Sequence, residues 1–186
     1  MATMDASQVT IGAAKVTGAI YIAPNGTTLP ADATTALASA FKLLGFTSDA
    51  GVQIAENRES DSITAWEGRT KILELVTSYT ESVSFMPIQC NDEVAKLTWG
   101  ADAVVVDSQT GAMTAKHHGG ILDPVVIAIE TAPRTGIVKR YCLTGQLTER
   151  GEQTLDGTQV DGRQLTFESV ADANGFTMYE HTAFTS

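Results

Sequence analysis

The sequence predicts a mainly β fold: a two-sheet β-sandwich or partial barrel, flanked by one short α-helix and carrying a long polar loop. Three observations predict it. Runs of strand length, rich in β-branched and aromatic residues, recur along the chain. Turn signals separate them, among them Pro24-Asn25-Gly26, Asp156-Gly157, Asp161-Gly162 and Asn174-Gly175. Only the stretch from Asn91 to Gly100 carries a full set of helix start and stop signals. No repeat, coiled coil or linker divides the 186 residues, so the expectation is a single domain over 1–186, with an N-terminal arm over 1–15 and a long loop over 47–62.

Residues 16–23 (VTGAIYIA) read as a first strand, and Pro24 to Gly26 reverse the chain. In the next stretch Ala36, Leu37, Ala40, Phe41 and Leu44 fit a helical period that Pro30 and several threonines interrupt. A short helical turn anchoring Phe41 and Leu44 is expected there. From Thr47 to Ser62 the apolar content collapses and both charge signs appear, although Val52 and Ile54 could form a brief strand. Sixteen residues is long for a connection, which makes this loop a partner-binding candidate.

The segment 63–100 is the best-defined part of the chain. Ile72 to Thr77 is apolar and β-branched, and Val83 and Phe85 alternate with Ser82, Ser84 and Met86 at the two-residue period of a strand. Asn91 can cap a helix whose first turn is acidic through Asp92 and Glu93, and Gly100 suits its end. So short a helix is marginal alone, so Val94, Leu97 and Trp99 are the expected helix-to-sheet anchors. Trp66 is expected to be buried in the core or an interface as well.

Beyond the helix, residues 101–107 and 113–118 read as strands about a turn at 108–111. The apolar run of 123–131 suggests a strand buried on both faces. Residues 136–147 alternate, but neither face is purely apolar, which points to a strand at an assembly surface. Residues 164–170 and 176–184 complete the strands around the last turn.

The charge balance excludes some functions. Twelve basic against 22 acidic residues leave a net charge of -10, which disfavours attraction to nucleic acid or anionic lipid. The N-terminus has neither the basic start nor the apolar stretch of a signal peptide, and no apolar run approaches the roughly 20 residues that span a bilayer. Synthesis in a cytoplasm and no membrane association are expected. Cys90 and Cys142 lie far apart without CxxC spacing, so two free thiols are expected.

No catalytic constellation is visible: no GxSxG elbow, no phosphate-binding glycine loop and no HExxH helix. His117 and His118 are adjacent, so a strand would point them to opposite faces, away from a shared metal. Glu56, Glu59 and Asp61 lack the order of a calcium loop. No enzyme activity, cofactor or metal is expected, and the residues alone lead to an acidic, mostly β assembly or binding domain.

Taken together, TGAIYIAPNGTTLP, AFKLLGF with Asp49 to Val52, ITAWEG, SVSFMPIQCNDEVAKLTWG and RYCLTGQLTERGEQTLDGTQVDG resemble the major tail tube proteins of long-tailed bacteriophages. The likeness runs from about Thr17 to His181, and GAMTAKHHGG within 107–120 is where the chain departs from the family pattern. The resemblance implies a structural virion protein, assembled in the host cytoplasm into hexameric rings that stack as the tube through which DNA is ejected. It also implies other tail proteins as partners, and DNA that passes without tight binding. An adhesion or carbohydrate-binding module, or another tail component such as a terminator ring, would share the fold class. Within the tube reading the candidates for the channel lining are Glu74, Ser82, Ser84 and Glu81. Glu81 shares the parity of Val83 and Phe85, so it needs a bulge to face the channel.

Overall fold

The computed structural model describes residue 4, residues 8–132 and residues 136–184. Along them run β1 (Ile20–Pro24), β2 (Lys42–Leu43), β3 (Thr47–Thr64), β4 (Lys71–Pro87), α1 (Asp92–Trp99), β5 (Val104–Val106), β6 (Met113–Ala115), β7 (Val125–Glu130), β8 (Ile137–Arg150), β9 (Leu165–Ser169) and β10 (Met178–Phe184). Eight strands form one antiparallel sheet in the order β2-β1-β7-β8-β9-β4-β3, with β10 added on β8, while β5 and β6 pair separately. Of the expected N-terminal arm, residues 1–3 and 5–7 lie outside the described residues, and Ala14 forms a bridge to Thr131.

The main core follows from the two-residue strand period. Ile20 and Ile22 on β1, Ile127 and Ile129 on β7, Leu143 on β8, Leu165 and Phe167 on β9, and Val83 and Phe85 on β4 are register neighbours on one face. With Leu44 and Leu97 they form a single buried cluster. Strands from β1 to β4 share it, so the sheet curls around its own core as an incompletely closed barrel. Gly145, in the interior of β8, lies where that strand exchanges β10 for β9 as its neighbour. A Cβ there would sit 3.1 Å from both Ile127 Cδ1 and Phe167 Cβ, so glycine lets the flanking side chains close over the bend.

The opposite face of β1, β7 and β8 is covered by the irregular segment 27–41, which buries Phe41 with Ala23, Val126, Ala128 and Cys142. This covering explains why β7 is buried on both faces. The helical turn expected before Leu44 does not form. Instead the Asp32 carboxylate accepts the backbone N–H groups of Thr34 and Thr35, a local turn that competes with a helix. Phe41 and Leu44 are both buried, but in the two different clusters on either side of the sheet.

Two further expectations are corrected. Residues 137–147 belong to β8, a strand paired on both edges within the chain and mostly buried, so its mixed polarity is not that of an open edge. Its mixed polarity has an internal cause: Arg140 faces Glu130 across the β7–β8 pair and is 3% exposed. Its guanidinium donates to Glu130 and to the carbonyls of Asp32 (2.6 Å) and Thr35 (2.9 Å), which fastens the covering segment to the sheet. Residues 47–62, expected as a loop, are nearly all of β3. Both faces of that strand are largely exposed, so nothing selects an apolar alternation and the strand reads as polar.

The helix forms as its signals predict. Asn91 Oδ1 accepts the N–H of Val94 at 2.8 Å, Asn91 Nδ2 donates to the Leu44 carbonyl, and the Gly100 N–H closes the last turn on Lys96. Leu97 lies in the main core and Val94 packs partly buried against it. Cys142 is buried, Cys90 is exposed, and both thiols are free.

Leu97→Ala should destabilise the fold by about 2–5 kcal/mol, the cost of a leucine-sized cavity, measured by chemical denaturation. A second expectation concerns pH. Burial raises the Glu130 carboxyl, but hydrogen bonds from Lys15 and Arg140 and their charges outweigh it and hold it below the usual glutamate range. A depressed folded-state value means that the unfolded chain binds more protons. The stabilisation is therefore full above the unfolded glutamate value, about 4.3, and is lost as pH falls through the lowered folded one. Arg140→Met should cost about 3–5 kcal/mol near neutral pH by leaving the buried carboxylate with Lys15 as its remaining partner, and thermal melts should show that the variant loses less on acidification than the wild type.

Candidate assembly surface

β3 and β4, 18 and 17 residues long, form a hairpin whose register runs from Thr47 opposite Pro87 to Thr64 opposite Lys71. Gly68 and Arg69 adopt positive φ of 66° and 53° at its tip, and the Ala65 N–H donates to the Thr70 carbonyl at 2.8 Å. β9 pairs with β4 only over Ser82–Phe85, so from Glu56 and Glu81 outward the two strands pair only with each other among the described residues. That leaves a two-stranded ribbon roughly 30 Å long with both backbone edges open. Ribbons of this kind are marginal alone and their edges are templates for pairing.

The ribbon is also where apolar side chains meet solvent. Ile54, Ile63, Ile72, Leu73, Leu75, Val76 and Tyr79 are all exposed. Trp66, expected in the core or an interface, is 95% exposed at the tip and so outside the chain's own core. The sequence signal for it is positional: a tryptophan one residue from the Glu67-Gly68-Arg69 turn has no neighbouring strand to pack on.

The register divides the channel-lining candidates. Ser82 and Ser84 lie on the face opposite Val83 and Phe85, beside Thr166 and Glu168 of β9 and Gln53 and Ala55 of β3. Ser84 Oγ is 3.1 Å from Thr166 Oγ1. Glu81 lies on the core-side face opposite Glu56, and accepts a hydrogen bond from the Thr177 hydroxyl. Glu59 pairs with Ser78 and Ser60 with Val76, so Thr77 is an extra residue that inverts the alternation of β4 beyond it. Glu74 therefore shares the face of Glu81, which its 2.7 Å hydrogen bond from Ser60 also reflects. The bulge that Glu81 needed lies on its far side, and it moves Glu74 away from Ser82 and Ser84 instead. The Glu74 carboxyl is held below the usual range, by the Lys71 hydrogen bond first and then by Ser60.

Sequence reasoning missed Glu168 and Thr166, which the β4–β9 register brings beside the two serines. Trp99 lies at the end of α1, where His117 stacks on its ring and Arg150 and Arg163 approach it. It is outside the main core cluster that holds Leu97. No helix among the described residues is long and apolar enough to cross a membrane.

The phage tail tube protein family matches residues 2–181, nearly the whole chain. The chain belongs to the phage tail tube protein family. Its function is accordingly that of a structural tail tube protein. Two solved structures are similar in fold. A chain from the tail of an empty gene transfer agent particle, computed with helical refinement in C6 symmetry, is 13% identical over 90% of this chain and 95% of that one, with a TM-score of 0.46. A chain from the virion of a native gene transfer agent particle is 11% identical over the same shares, with a TM-score of 0.43. No curated protein matches the sequence.

Leu73 and Leu75 form an exposed patch with Ile63 on one face of the tube protein's ribbon. Replacing both leucines with serine should leave monomer stability within about 0.5 kcal/mol of wild type, as for surface sites, while raising the concentration needed for self-assembly. Denaturation of the monomer and light scattering of the assembling protein separate the two effects.

Proposed function

We propose that copies of the chain close into hexameric rings that stack into the virion tail tube, the conduit for DNA ejection, after assembly in the host cytoplasm. Family membership supports the reading, and the observation that carries it is the ribbon, which leaves two backbone edges and a set of apolar side chains for other copies to cover. Neighbouring copies and other tail proteins are its partners. Its role is structural, without chemistry or a cofactor of its own.

The channel lining in this reading is the face of β4 and β9 that carries Ser82, Ser84, Thr166 and Glu168. Small hydroxyls and a carboxylate offer no cation to phosphate, so DNA slides past without tight binding. Repeating a net charge of -10 around a ring focuses a repulsive field on the channel. Glu74 and Glu81, on the other face, serve subunit contacts.

Negative-stain microscopy of concentrated protein should show stacked rings or tubes. Dispersed particles that bind glycans would favour an adhesion module instead. Virions assembled with Ser82→Lys and Glu168→Lys should form full-length tails but eject DNA slowly, most of all at low ionic strength where charges are least screened. Where tails still form, Glu74→Lys should leave the rate of ejection from them unchanged. Normal ejection from the double variant at low salt would overturn this assignment of the channel face.

A further inference from the structure

Three separate segments converge on Trp99. His117, after β6, stacks on the indole at 3.7 Å with 9° between the rings. His118 Nε2 donates to the Trp99 carbonyl at 2.7 Å and its Nδ1 accepts the Gly120 N–H, so the two bonds fix one tautomer. Arg150, the last residue of β8, donates Nε to the Thr98 carbonyl at 2.7 Å and holds its guanidinium carbon 4.8 Å from the indole centroid. Arg163, just before β9, bonds Gln153 and sits 5.4 Å from the same centroid.

Neither guanidinium has a carboxylate within ion-pair distance among the described residues. The acid that shares their cleft, Asp161, is taken by Gln153 Nε2 at 2.6 Å. Acids outnumber bases 22 to 12 in this chain, yet these two cations gather on one ring with no carboxylate bonded directly to either among the described residues. The cleft beside them, about 340 Å³, has an apolar side formed by Val94, Trp99 and Met113 and a polar side formed by Arg163, Gln153 and Asp161.

The opposite defect lies on the hairpin. Glu56 and Glu81 are direct cross-strand partners, with Cβ atoms about 5 Å apart, and like charges placed so are destabilising. Glu81 is bonded by the Thr177 hydroxyl, while Glu56 is exposed and makes no hydrogen bond or ion pair among the described residues. Arg58 and Tyr79 follow on the same face, and Arg58 reaches neither acid within ion-pair distance. The two acids face away from Ser82 and Ser84, with Glu56 exposed and Glu81 half-buried beside Thr177.

We propose that the Arg150–Trp99–Arg163 site receives the hairpin of a second copy of the chain, with Glu56 and Glu81 of that copy set against the two guanidiniums. The proposal rests on the tube reading and deepens it by naming one contact between copies. Each site holds two like charges without a direct ion pair in its own chain among the described residues, and docking supplies one to each while the apolar side chains on the same face of the ribbon cover the cleft. The contact also gives the exposed core-side face of the ribbon a partner.

Charge exchange tests the contact. At low ionic strength Arg163→Glu and Glu56→Arg should each slow assembly at least about tenfold, followed by light scattering and microscopy, while thermal melts show a folded monomer. Arg163→Gln serves if the reversed charge unfolds the chain. A chain carrying both reversals should recover to within about threefold of wild type, since an arginine at 56 then meets a glutamate at 163. Wild-type tubes that either single reversal leaves unaffected, or that the double reversal fails to restore, overturn the contact and leave the tube reading standing. Wild type that forms no rings or tubes at any concentration overturns both. Retention of a short DNA duplex by wild type, lost in Arg163→Glu, would assign the site to phosphate and overturn the proposal.

Discussion

The sheet depends on β8 being paired along its whole length. β7 lies on one edge, while the other is divided between β10 on its first half and β9 on its second. A strand that changes neighbours midway has to bend there, and Gly145 is placed where a larger residue would meet Ile127 and Phe167. The bend lets β4 and β9 share one apolar cluster with β1 and β7, and the same cluster gives Leu97 its place. Helix, sheet and hairpin base are thus organised by one strand.

The Glu130–Arg140 pair ties the outer layer to the same strand. Arg140 is surrounded by acceptors: a carboxylate and two backbone carbonyls of the segment 27–41. A buried ion pair is weak evidence of net stability, because desolvation opposes its attraction. Its contribution here is to specify where an otherwise irregular segment lies. The Asp32 turn, which places the Asp32 and Thr35 carbonyls, and the apolar contact of Phe41 complete that docking.

Much of this was legible in the sequence because it follows local rules. The Asn91 cap, the positive φ of Gly100 and the continuous apolar run of β7 are each encoded within a few residues. The mainly β class and the exposed nature of residues 47–62 were legible too, but their strand state was not, because a ribbon exposed on both faces has no apolar period to read. β8 misled for the converse reason: Arg140 looks like a surface residue until its partner on β7 and the two carbonyls are known. The channel-face candidates needed a register that sequence alternation does not carry. Ser82 and Ser84 share a face as their spacing implies, while Glu74 is separated from them by one unpaired residue.

That residue, Thr77, makes the hairpin a device of two zones with opposite phase. On the body side of it, hydroxyls and amides occupy one face and the core the other; beyond it, leucines join the hydroxyl face and Glu74 the core face. One continuous ribbon therefore presents a hydrophilic surface near its base and an adhesive one near its tip on the same geometric side, with the bulge between them. Deleting the single Thr77 codon would leave every outer residue opposite the same partner on β3, so both faces would keep their sides, and what the hairpin would lose is the local bend and added twist that the extra residue gives it.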